Sequence, residues 1–137
     1  MRVIVDTNIV LDVLLEREPF VHAAVDIFSL AEQSKVVAFL CATTITTVDY
    51  LLARSLPVSR ARDALRKLIS VFEIATVNRP VIERALGSKI RDFEDAVLAE
   101  AGLMAGADSI VTRNPKDFAG SALKVFEPSE FLAQFNR

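Results

Sequence analysis

The chain has 137 residues, of which 52% are hydrophobic and 25% are charged, with 16 Lys and Arg against 18 Asp and Glu. This length suits one domain with a sizeable core, and the apolar content excludes an intrinsically disordered chain. The nearly balanced charge excludes a protein that holds nucleic acid through a general basic excess, so any such role needs a local basic patch. We therefore expect a single domain spanning residues 1–137.

Short β-branched runs alternate with segments of helical periodicity. In chain order, the pattern predicts a strand at 3–5, helices at 8–16 and from Pro19 through Ala31, a strand at 36–41, helices at 43–54 and from a cap at Ser59 through Ile69, a strand at 72–77, helices at 80–87 and 93–105, strands at 109–112 and 123–126, and a helix at 128–135. Strands that are almost wholly apolar favour a parallel sheet covered on both faces. The predicted fold is an α/β three-layer α/β/α sandwich with a central parallel five-stranded sheet.

The single cysteine, Cys41, cannot form an internal disulfide, which favours a reducing compartment. Asp6 interrupts the N-terminal apolar run too early for a secretory signal. The longest apolar stretch, residues 36–48, is too short and too rich in threonine to cross a bilayer. We expect a soluble, cytoplasmic protein with no membrane partner.

Ligands of an open parallel sheet bind beyond the carboxyl ends of its strands. Polar residues from four separate parts of the chain are predicted near that edge: Asp6 and Asn8 after the first strand, Asp49 on the helix after the second, Asp92 and Asp95 at the start of the helix before the fourth, and Thr112, Arg113, Asn114 and Asp117 after the fourth. Clustered carboxylates repel one another unless a cation is present. Oxygen ligands of this kind suit Mg²⁺ or Mn²⁺, which can activate water for attack on a phosphate.

Other catalytic arrangements are missing from the sequence. There is one histidine, His22, so a mechanism that needs two histidines is excluded. There is also no GxxxxGK[ST] phosphate loop, no GxGxxG turn and no GxSxG elbow. The acidic residues are therefore the strongest candidates for chemistry.

Three segments, in this order, resemble the motifs of the PIN-domain family and in particular its VapC-like toxins: VIVDTNIVLDVLL at 3–15, DFEDAVLAEA at 92–101 and SIVTRNPKDF at 109–118. The resemblance covers almost the whole chain. It implies a ribonuclease dependent on Mg²⁺ or Mn²⁺ that cleaves RNA and serves as the toxin of a type II toxin–antitoxin pair. It further implies a homodimer and a cognate antitoxin protein as partner.

The resemblance also implies roles for individual residues. The catalytic, metal-binding acids would be Asp6, Asp49, Asp95 and Asp117. Asp49 stands where members commonly carry Glu, in the segment ITTVD, and some relatives carry an acid two residues earlier, where this chain has Thr47. Residues that orient carboxylates or waters would be Asn8, Thr112 and Asn114. From its position beside the expected site, Arg113 is a further substrate-orienting candidate that could hold a phosphate, whereas Asp12, roughly one turn after Asn8 on the first helix, is expected to be peripheral.

Several of these residues could instead have purely structural roles. Asp6 could cap the following helix, Asp95 could interact with a helix dipole, and Asn114 could take the ligand role of Asp117. Asp92 and Glu94 are interpreted as structural. The densest basic run is more typical of a solvated helix face than of an RNA-binding surface; it consists of Arg54, Arg60, Arg62, Arg66 and Lys67.

Two other functions remain open. One is a phosphatase of the phospho-aspartate kind, which also places Asp after its first strand but predicts DxD where this chain has Asp6-Thr7-Asn8. The other is a PIN-like module with impaired catalysis that acts in RNA or protein binding, which the aspartate at position 49 favours.

Overall fold

The computed structural model describes residues 1–135. Its strands are β1 (Arg2–Val5), β2 (Val37–Cys41), β3 (Glu73–Ala75), β4 (Ser109–Val111) and β5 (Lys124–Phe126). Its helices are α1 (Thr7–Leu14), α2 (Val21–Glu32), α3 (Ala42–Leu52), α4 (Val58–Val71), α5 (Arg79–Leu86), α6 (Phe93–Ala105) and α7 (Pro128–Ala133), with a short 3-10 helix at Pro115–Phe118.

The five strands form one parallel sheet in the order β3-β2-β1-β4-β5. Central strand β1 is buried on both faces, because Val3 and Val5 belong to one apolar core and Ile4 to the other. Helices α1, α2, α3, α4 and α7 contribute to the core on the first face, whereas α5 and α6 cover the second. The predicted three-layer α/β/α sandwich with a parallel five-stranded sheet is confirmed.

Local sequence signals explain most helix boundaries. Asn78 caps α5 by accepting a hydrogen bond from the Val81 N–H at 3.2 Å, and Asp92 caps α6 in the same way. Helix α6 ends at Gly106, whose φ of 90° is a left-handed conformation that glycine adopts without strain. None of the helices within residues 1–135 is long and apolar enough to span a membrane.

Several predicted boundaries were wrong. Ser59 is not a helix cap, because α4 already begins at Val58 after Pro57, which occupies the cap position. Helix α2 begins at Val21 rather than at Pro19, and β3 is only three residues long. The 3-10 helix was not predicted, since four residues that begin with a proline are too few to show helical periodicity.

Candidate active site

The crevice beyond the two central strands contains the residues that the first and last motifs contribute. Val5 of β1 is in register with Val111 of β4, so Asp6 and Thr112, the next residues, lie side by side at the carboxyl edge. This edge is where ligands bind in open parallel sheets.

Asp6 is 6% exposed and occupies the cap position of α1, yet its side chain makes no capping hydrogen bond. Instead, Oδ2 accepts a hydrogen bond from Thr112 Oγ1 at 2.7 Å. The same Thr112 oxygen accepts the Asn114 backbone N–H at 3.0 Å. Burial raises the pKa of Asp6 above its usual value, although the Thr112 hydroxyl partly opposes that effect. Asp6 is thus a buried, oriented carboxylate rather than a helix cap.

Asp95 is the third residue of α6, and its backbone N–H donates to Asp92 Oδ1 at 2.9 Å. Its pKa is raised to about 7, first by burial and then by the negative charges of Asp6, Asp92, Asp117 and Glu94. A helix N-terminus normally favours a charged aspartate. Burial and, after it, the surrounding carboxylates outweigh that effect, so the charged form of Asp95 is disfavoured.

A cavity of about 300 Å³ joins these acids. It is called the acidic cavity here, and its lining residues are Asp6, Thr7, Asn8, Leu11, Thr43, Thr47, Leu51, Asp92, Glu94, Asp95, Leu98 and Asp117. The structure therefore brings Asp6, Asn8, Asp95 and Asp117 together. Thr112 and Asn114 lie just beside the cavity, connected to it through Asp6.

The structure does not place Asp49 on the acidic cavity. Helix α3 presents Thr43, Thr47 and Leu51 to it, one residue in every four. Asp49 follows Thr47 by two residues, and two residues correspond to a rotation of about 200° around a helix. The Asp49 side chain therefore points away from the cavity. Glu94 lies on the cavity instead, where its Oε1 accepts a hydrogen bond from Thr47 Oγ1 at 3.2 Å. The interpretation of Asp92 and Glu94 as purely structural missed that both residues line this cavity.

Arg113 is engaged by other protein groups. Its Nε lies 2.8 Å from Oδ2 of Asp12, and its Nη2 donates to Oδ1 of that residue at 3.3 Å. The guanidinium also stacks over Phe20, with Cζ 4.0 Å from the ring centroid. Arg113 does not line the acidic cavity. Asp12, expected to be peripheral, is fully buried and also accepts from Arg17 Nε at 3.0 Å.

Three basic residues near the acids were not singled out from the sequence. A second cavity of about 450 Å³, called the basic cavity here, is lined by Lys89, Arg91, Asp92, Asp95, Lys116, Asp117 and Ala119. It shares Asp92, Asp95 and Asp117 with the acidic cavity. A signal was present, because Arg91 directly precedes the DFED segment, Lys89 lies two residues before Arg91, and Lys116 lies within NPKDF.

The donor set suits a hard divalent cation. The acidic cavity offers only carboxylate, amide and hydroxyl oxygens, which Mg²⁺ and Mn²⁺ prefer. Burial is the first cause of the raised Asp95 pKa and repulsion from the neighbouring carboxylates the second, and a cation would relieve that repulsion. Within residues 1–135, no three His, Cys, Asp or Glu side chains are already close enough to hold an ion. Chemically the residues fit a metal, and binding one requires the carboxylates to draw together.

Comparisons with known proteins show what this chain is similar to. The PIN domain profile matches residues 2–116. Ribonuclease VapC1 of Aquifex aeolicus (strain VF5) is 24% identical over 140 aligned positions, covering 98% of this chain and 96% of that protein.

Two solved structures share the fold. A toxin–antitoxin complex from Klebsiella pneumoniae contains a chain with a TM-score of 0.70 and 23% identity, covering 92% of this chain and 97% of that one. VapBC2 from Rickettsia felis, bound to a DNA fragment from their promoter, gives a TM-score of 0.69 and 17% identity, covering 93% and 98%.

Proposed function

The chain belongs to the PIN-domain family, and from that premise we propose that it is a metal-dependent endoribonuclease that hydrolyses RNA phosphodiester bonds as the toxin of a type II toxin–antitoxin pair. One observation carries the proposal: Asp6, Asp95 and Asp117, which come from three distant parts of the chain, line one cavity at the carboxyl edge of the sheet. We treat residues 1–137 as one PIN domain. The relative named Ribonuclease VapC1 supports the same reaction class.

In this proposal Asp6, Asp95 and Asp117 hold Mg²⁺ or Mn²⁺. When bound, the ion supplies an activated water and stabilises negative charge on the phosphate. The protein's own residues prepare that site. Thr112 fixes the Asp6 carboxylate through the 2.7 Å hydrogen bond, and Asp92 holds the start of α6 so that Asp95 faces the cavity.

The fourth carboxylate of the site is Glu94 rather than Asp49. Glu94 lines the acidic cavity and is held by Thr47, whereas Asp49 lies off the cavity. Titrating Mn²⁺ by calorimetry should show Glu94→Gln weakening metal affinity by roughly tenfold or more, as losses around metal ligands commonly do. Asp49→Asn is the matched control and should bind Mn²⁺ like the parent. Weakening by Asp49→Asn alone would restore the assignment made from the sequence motif.

The reaction itself is tested with purified protein, Mn²⁺ and single-stranded RNA. The parent should cleave RNA, and Asp6→Asn should lower the rate by roughly a hundredfold or more, because it removes the charge of a proposed metal ligand. Hydrolysis of a generic phosphate ester without RNA cleavage would favour the phosphatase. Equal Mn²⁺ heats from the parent and an Asp6→Asn/Asp95→Asn variant would favour the impaired module.

We also propose two protein partners, an antitoxin and a second copy of this chain. The Klebsiella pneumoniae structure is a toxin–antitoxin complex, which supports a cognate antitoxin protein for this chain. We also propose a homodimer in the cytoplasm, where the buried free thiol of Cys41 stays reduced. Expression alone should slow growth, and co-expression with the neighbouring gene should relieve that effect. Unimpaired growth in both cases would contradict the toxin assignment.

A further inference from the structure

The basic cavity offers cationic side chains directly beside the proposed catalytic acids. Lys89, Arg91 and Lys116 are all exposed, and all three line it. Among the residues that the structure describes, none of the three forms an ion pair, whereas Arg113 is paired with Asp12. Their charges are therefore available to a ligand.

Local structure explains why these three side chains meet. Ile90, between Lys89 and Arg91, is 6% exposed and anchors the segment in the apolar core, so its two basic neighbours remain at the surface. Lys116 belongs to the 3-10 helix Pro115–Phe118, which Phe118 anchors in the same core. Both cationic segments are thus held by buried neighbours on one face of the sheet.

The loop after the 3-10 helix packs closely against the first segment. A Cβ placed on Gly120 would lie 3.1 Å from the Cβ of Lys89, and Gly120 has a φ of 95°. This close approach, which glycine permits, keeps Lys89 beside the segment that carries Lys116. The backbone segments that carry the three cations are therefore packed together.

We propose that Lys89, Arg91 and Lys116 bind the sugar–phosphate backbone of single-stranded RNA next to the scissile bond. The inference rests on the proposed nuclease function. A polyanion that approaches the acidic cavity is repelled by its carboxylates, and the basic cavity supplies opposite charge at the shared boundary of Asp92, Asp95 and Asp117. Contacts of this kind position the strand without reading its sequence.

The test compares two triple variants that remove the same charge. Lys89→Ala/Arg91→Ala/Lys116→Ala removes the proposed contacts, and Arg60→Ala/Arg62→Ala/Lys67→Ala removes three cations of α4. The KM for a fluorescent single-stranded RNA and its salt dependence are measured with Mn²⁺ for the full chain. Circular dichroism and Mn²⁺ calorimetry show whether each variant keeps its fold and its metal site.

We expect the first variant to raise KM at least roughly tenfold and to reduce the slope of log KM against log salt by about 2, as three lost phosphate contacts on a single strand imply. The α4 variant should resemble the parent. An unchanged KM and slope for the first variant, or a larger effect of the α4 variant, would overturn the inference while leaving the nuclease function intact. A parent protein that does not cleave RNA would overturn both.

Discussion

Replacing Asp12 with asparagine should destabilise the protein although Asp12 lies outside the acidic cavity. The carboxylate of Asp12 is fully buried and contacts two guanidinium groups, those of Arg17 and Arg113. Asparagine keeps the size of the side chain but removes its charge, so both arginines lose their counterion.

The structure sets the size of the effect. Removing one partner of a buried ion pair typically costs about 3–5 kcal/mol. Here the Arg17 side chain is 37% exposed and that of Arg113 is 22% exposed, so water partly solvates the charges left behind. The low end of the range applies, and we expect Asp12→Asn to lower the free energy of unfolding by about 3 kcal/mol.

Urea unfolding followed by circular dichroism measures this change. Asp63→Asn is the matched control, because Asp63 pairs with Arg66 at 2.7 Å while both side chains are more than 60% exposed. The control should lose less than about 1 kcal/mol. Equal losses of unfolding free energy in the two variants would refute the reasoning that Asp12 stabilises the fold because its ion pairs are buried, and not simply because it is paired.

Three further changes test other parts of the structure. The pKa of Asp95 is about 7 in the folded protein, against an ordinary value of 3.8. The stability that Asp95 contributes to the fold is therefore complete below pH 3.8 and is lost as the pH rises through about 7. Mn²⁺ affinity measured by calorimetry should rise over the upper part of that window and level off above it. Thr112→Val removes the buried hydroxyl that orients Asp6, so it should cost about 2 kcal/mol in urea unfolding and slow RNA cleavage. Gly102→Ala should lower Tm, because its Cβ would lie 2.7 Å from Cγ2 of Ile4, and overpacking by about 1–3 kcal/mol exceeds the gain of about 1 kcal/mol in helix propensity.

Each has an outcome that would contradict it. Mn²⁺ affinity that is constant from pH 5 to 8 would exclude proton release from Asp95 on metal binding. Thr112→Ser keeps the hydroxyl and should restore most of the activity, so failure of this rescue would count against the hydrogen bond. For the glycine, Gly87→Ala is the control, since its Cβ would meet only the Arg84 carbonyl oxygen at 3.8 Å. A higher Tm for Gly102→Ala would show that α6 and β1 can move apart at little cost.

The layered fold was predictable from the sequence because its signals are local and repeated. Apolar runs such as residues 3–5 specify buried strands, and helix α6 matches its predicted bounds of 93–105 because Asp92 and Gly106 mark its two ends. The start of α4 was less predictable. Pro57 and Ser59 are both acceptable at a helix start, and only the packed structure decides between them.

The candidate site was predictable where a residue follows directly from a strand or helix end. Asp6 and Asp95 are of this kind. Asp49 was different, because its direction depends on the rotation of α3 about its axis, which is set by the burial of Thr44, Val48 and Leu52. Threonines at positions 43, 44, 46 and 47 weaken the apolar periodicity of this helix, so the sequence indicates that rotation only weakly.

Partners far apart in sequence were also beyond the reach of local patterns. Arg113 was expected to hold a phosphate because it directly follows the fourth predicted strand, beside the candidate site. It instead pairs with Asp12, which lies 101 residues away. The charges of Lys89 and Lys116 meet only once the sheet has formed. Their convergence depends on the packing of two loops against one face of the sheet.

The central claim is that Asp6, Asp95 and Asp117 hold a divalent metal ion, and a crystal soaked in Mn²⁺ tests it most directly through anomalous scattering. We predict a manganese peak within the acidic cavity, in contact with carboxylate oxygens of these three residues, and no peak in an Asp6→Asn/Asp95→Asn crystal. A parent crystal without manganese in that cavity, or with manganese bound beside Asp49 instead, would contradict the account.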